Sequence, residues 1–78
     1  MKRRKLYHFR DLINDKIMFF DFMSVKDANG NRGTRFLLSD QLTEKQKEKL
    51  NKYDNVIISS AAYKYAPEIR HNSIILLK

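Results

Sequence analysis

The sequence contains no cysteine and no tryptophan, and only one proline and two glycines among 78 residues. Without thiols there is no disulfide framework and no thiolate metal site. Apolar runs are short: none exceeds four residues, as in Ile17 to Phe20, against the ~20 needed to cross a bilayer as a helix. Polar residues after Lys2-Arg3-Arg4-Lys5 interrupt the apolar stretch that a signal peptide requires. These absences set the expectation of a soluble, cytoplasmic protein with no membrane partner. A chain of this length has volume for one core, so residues 1–78 read as a single domain.

Catalytic and metal-binding patterns are also scarce. The two histidines, His8 and His71, belong to no H-x-x-x-H spacing, and either could ligate a metal only with carboxylate help. Ser59 or Ser60 with His71 is the only nucleophile–base pairing worth drawing, and no nucleophile elbow or glycine-rich oxyanion loop surrounds it. Asn29-Gly30-Asn31-Arg32-Gly33 lacks the P-loop frame and precedes a strand pattern instead of a helix. Asp27, Asn29 and Asn31 alternate as in a calcium loop, but Arg32 and Leu38 stand where that loop needs Gly and Glu. The expectation is a non-enzymatic protein without cofactor or metal.

What the sequence has in excess is positive charge, +7 in total. Four of the 16 basic side chains are Lys2, Arg3, Arg4 and Lys5, leaving twelve against nine acidic ones in the remainder. A basic, mobile N-terminal arm over residues 1–5 on a nearly balanced body fits phosphate contact through counterion release, or an acidic protein surface.

Along the chain, Leu6 to Ile13 fits either a short helix or an extended arm. Lys16 to Lys26 reads as a strand rich in aromatic and β-branched residues. Strict alternation places Ile17, Phe19, Met23 and Val25 on one side with Asp21, and Met18, Phe20 and Phe22 on the other. A carboxylate among apolar neighbours needs a partner or a solvated edge. Asn29-Gly30 is a hairpin signal, because both residues tolerate positive φ. Thr34 to Ser39 is the return strand, with Phe36 and Leu38 opposed to Arg35 and Leu37.

Thr43 with Gln46 forms a capping box opening a helix to Tyr53, whose thin apolar stripe is Leu42, Leu50 and Tyr53. Asn55 to Tyr65 is a further strand, Pro67 stops central pairing, Arg70-His71-Asn72 reads as a turn, and Ser73 to Leu77 is a last strand. The fold class is therefore α+β: a small domain with a mainly antiparallel four-stranded sheet, in ββαββ order, and one amphipathic helix on one face. This element order is similar to that of compact OB-type single-strand binders, which normally carry five strands. An exposed apolar edge strand also makes homodimer formation a reasonable expectation.

Aromatic residues interleaved with basic ones carry the functional reading. Bases stack on aromatic faces while Lys and Arg follow phosphates. The candidate nucleic-acid contacts are Lys2, Arg3, Arg4, Lys5, Arg10, Phe20, Arg32, Arg35, Tyr63, Lys64, Tyr65 and Arg70. Tyr7, Phe22 and Lys26 belong to the same pattern. The alternative is a protein-interaction module, such as a small inhibitor or regulator of phage or mobile-element type that docks on a host protein.

Overall fold

The computed structural model describes residues 4–78. Its elements are α1 (Arg10–Asn14), β1 (Phe19–Lys26), β2 (Arg32–Leu38), α2 (Glu44–Leu50), β3 (Val56–Tyr63) and β4 (Ala66–Leu77). The four strands form one open antiparallel sheet in the order β1-β2-β4-β3. The OB likeness extends no further than this α+β plan: the described strands number four and do not close into a five-stranded barrel.

The β1–β2 turn forms because Asp27 organises it. Its Oδ1 accepts the backbone N–H groups of Asn29 and Asn31 at 2.9 and 2.7 Å, and Gly30 supplies the positive φ of 87°. Helix α2 opens with the capping box expected from Thr43 and Gln46. It ends at Leu50, three residues short of Tyr53, with Asn51 as its C-cap. The ambiguous N-terminal stretch resolves into an extended segment followed by the five-residue α1. Beyond α1, Lys16 takes a left-handed φ of 64°, which turns the chain into β1.

Leu6, Leu12, Ile17, Leu42 and Leu50 pack on Phe36, Leu38 and Ile74, so both helices and the N-terminal segment cover one face of the sheet. This is the inner face. Asn55 ties it together from a buried position. Its side chain exchanges two hydrogen bonds with the Leu6 backbone and donates a third to the Leu77 carbonyl. Lys49 and Gln46 bind Asp15, fastening α2 to the α1–β1 connection.

Two sequence expectations are corrected. Strict alternation in β1 fails because of a bulge: Phe19 pairs with Leu38 and Asp21 with Leu37, leaving Phe20 as the extra residue. Phe19 therefore shares the inner face with Phe22, while Phe20 points to the outer face with Asp21 and Met23. Arg70-His71-Asn72 is not a turn. All three lie inside β4 and pair with Ala62, Ala61 and Ser60 of β3. The turn is displaced to Lys64 and Tyr65, and Pro67 falls in a register break between the Tyr63–Ala66 and Ala62–Arg70 pairs. A proline there costs no ladder hydrogen bond.

Candidate nucleic-acid interface

The aromatic side chains gather across the outer face although they stand on strands that are not neighbours. β1 and β3 are separated by β2 and β4, a span of roughly 14 Å at the usual strand spacing. Even so, the Phe20 and Tyr63 rings meet edge-on with centroids 5.1 Å apart. His71 of β4 lies 4.8 Å from Phe20, and Tyr65 extends the group from Tyr63 at 5.3 Å. Beneath them Leu37, Ala61 and Ser73 are buried, with the Ser73 hydroxyl 3.0 Å from that of Ser59.

This cluster is accessible. Tyr65 is 74% exposed and Phe20 43%, while Tyr63 is half-buried between them. Lys64 holds its ammonium 4.9 Å above the centre of the Tyr65 ring. Arg70 is at the same end of the sheet but on its inner face, alternating with His71 along β4; it donates to the Ser60 hydroxyl and carbonyl, with Nη2 3.1 Å from the carbonyl. Four of the sequence-selected residues thus come together on the outer face: Phe20, Tyr63, Lys64 and Tyr65; Arg70, in register with Ala62, lies on the inner face. Tyr65, the most exposed ring of the cluster, offers the largest area to a stacking base beside the Lys64 ammonium.

The other candidates lie elsewhere. Arg32 pairs with Lys26 at the far end of the β1–β2 hairpin. Arg35 is on the outer face, half-buried between Met23 and Ile75, and its Nε is buried with no hydrogen-bond partner. It is a poor phosphate contact in that position. Arg10 is exposed at the start of α1. Lys5 is exposed, and the Arg4 backbone is bound to Lys52 and Asp54. Lys2 and Arg3 lie outside the described residues.

His71, a loop residue by its sequence surroundings, belongs to the ring cluster; its position opposite Ala61 becomes visible only with the β3–β4 register. Phe9 carries no signal in the aromatic–basic pattern and Phe22 only a marginal one, yet both are exposed, at 51% and 63%. The serines near His71 are occupied otherwise, Ser60 by Arg70 and Ser59 by Ser73. Among the described residues no group of three His, Asp or Glu side chains is placed to hold a metal ion. No helix among them is long and apolar enough to cross a membrane. No protein-family model matches the chain, and no curated protein or solved structure matches it significantly.

Proposed function

We propose that this is a small, non-catalytic, cytoplasmic protein that binds single-stranded nucleic acid. The observation that carries the reading is the solvent-accessible ring cluster Phe20–Tyr63–Tyr65–His71 with Lys64 over Tyr65, while Arg70 offers a further cation at the same end of the sheet, on its other face. Rings of this kind take bases without demanding a sequence, and the flanking cations take phosphates. The basic positions Lys2, Arg3, Arg4 and Lys5 add long-range attraction that salt screens.

The test is fluorescence anisotropy with labelled single-stranded DNA and RNA across a salt series. Affinity falls steeply with salt. Changing Lys2, Arg3, Arg4 and Lys5 to glutamine flattens the log–log slope by roughly 0.7 for each phosphate that is no longer neutralised. Glutamine keeps the backbone of residue 4, which Lys52 and Asp54 bind. Absence of binding at low salt overturns the proposal.

A second reading has its own observation. The outer face of the sheet carries no helix, and Met23, Val25, Ile57, Ile75 and Leu77 line it around Arg35. An antiparallel sheet that meets only water usually alternates to polar residues on that side. This face suits an acidic protein partner, as for a phage or mobile-element regulator, while the free edges of β1 and β3 offer pairing to a second copy. A pull-down that survives nuclease treatment favours this reading over the first.

A further inference from the structure

The bulge at Phe20 does more than rotate one ring. It places Phe20 on the outer face and Phe22, two residues later on the same edge strand, on the inner face. Around Phe22 the inner face is not fully covered by the helices. An open cleft of about 360 Å³ remains, lined by Phe9, Phe19, Phe22, Ser24, Thr34 and Phe36. Four phenylalanines supply its walls. Phe19 and Phe36 stand 4.8 Å apart at its base, and Phe9 approaches both at 6.2 Å. The Phe9 and Phe22 rings remain more than half exposed.

A cleft with apolar walls and a few polar groups is the usual form of a small-ligand site. The polar groups here are the Ser24 and Thr34 hydroxyls, directly opposed in the β1–β2 register. One step further along the same face, about 7 Å away at strand spacing, stands the Lys26–Arg32 pair. Flat apolar walls, two hydroxyls that can both donate and accept, and two cations at the hairpin end match the parts of a nucleotide: ring face, base edge and phosphate. The surplus of positive charge on the chain complements a phosphate backbone.

We propose that this cleft receives one unstacked base of a bound single strand, with Lys26 and Arg32 on the flanking phosphates. The proposal rests on the single-strand reading above and extends it. The strand crosses the β1 edge, stacking at the Phe20–Tyr65 cluster on one face and inserting a base beside Phe22 on the other.

The experiment uses the full chain with an oligothymidylate of about a dozen nucleotides, a length within the usual single-strand site sizes. Binding is followed by anisotropy and by backbone amide NMR. The Ser24 and Thr34 amide resonances shift on titration, and Phe22→Ser weakens binding roughly 5- to 150-fold, the range for removal of a base–aromatic stack. Phe22→Tyr restores it. Ser24→Phe, which fills the cleft and leaves the core side chains in place, weakens binding in the same way and guards against misfolding of the serine variant. If wild-type protein binds and Tyr65→Ala weakens it, while Phe22→Ser and Ser24→Phe do not, the cleft is no base site and the single-strand reading stands. If the oligonucleotide does not bind at low salt, both fall. Binding of a protein's aromatic side chain in the cleft, with no response to oligonucleotide, also overturns the proposal.

Discussion

Asn55 treats Leu6 as a neighbouring strand would. The Leu6 N–H donates to Asn55 Oδ1 and Asn55 Nδ2 donates to the Leu6 carbonyl, both at 2.8 Å, although the residues are 49 positions apart. The same Nδ2 donates to the Leu77 carbonyl, and the Leu77 N–H donates to the Asn55 carbonyl, each at 2.8 Å. One buried side chain thus joins the N-terminal segment, the start of β3 and the end of β4. Asn55→Ala leaves the Leu6 amide and carbonyl without their partners, and lowers stability by about 2–4 kcal/mol. Urea denaturation followed by circular dichroism measures it. A change within experimental error contradicts this role.

Gly33 faces a different constraint, since no positive φ is involved. A Cβ there would sit 2.6 Å from the Leu76 carbonyl oxygen and 3.0 Å from the Leu77 Cα, both backbone atoms of β4. Gly33→Ala therefore forces β2 and β4 apart and costs roughly 1–3 kcal/mol. At Gly30 the nearest atom is the flexible Lys26 Cε at 3.7 Å, so Gly30→Ala is penalised only by its φ of 87°, about 1 kcal/mol. Thermal melts of the two variants should rank Gly33→Ala as the more damaging.

The hairpin turn also has a pH signature. The Asn31 amide, bonded to the Asp27 carboxylate, holds the Asp27 pKa below its ordinary value; the Asn31 side chain and the Asn29 amide add to this. A pKa lower in the folded chain means that folding favours the charged form. The turn's contribution is fully present above the unfolded value of about 3.9. It is lost as pH falls through the lowered folded value. NMR titration of Asp27 gives the midpoint, and Asp27→Asn removes this part of the acid dependence.

Arg35 offers a test of the outer face. Its buried Nε has no partner, an arrangement that costs about 1–3 kcal/mol for an unsatisfied polar group. Arg35→Met keeps most of the length of the side chain beside Met23 and Ile75 and raises the melting temperature. Oligonucleotide affinity stays unchanged, because Arg35 is half-buried between Met23 and Ile75 and is not one of the cluster's residues. A large drop in affinity would instead place Arg35 in the interface.

At the cluster itself, Tyr65→Ala removes the most exposed ring and the surface over which Lys64 rests. Removal of one base–aromatic stack weakens single-strand binding by about 1–3 kcal/mol. Stability changes by less than about 0.5 kcal/mol, as for other exposed positions. Anisotropy and thermal melts on the same sample separate the two effects.

Local chemistry makes several elements readable in the sequence. Asp27 and Gly30 define their turn within five residues, Thr43 and Gln46 cap their helix within four, and both act through neighbours in the chain. The α+β class follows from those signals with the apolar strand runs. The sides of β1 do not follow, because a bulge exists only relative to a partner: two residues of β2 accept three of β1, and nothing within Phe19-Phe20-Asp21 announces it. The reach of β4 back to Ala66 is hidden for the same reason, since His71 and Asn72 look like turn residues until Ala61 and Ser60 pair with them. The absence of cysteine and of long apolar runs bounds the class of protein from composition alone. Which aromatic rings are open to a ligand is decided by strand register and the unequal covering of the two sheet faces. Both depend on residues far apart in the chain.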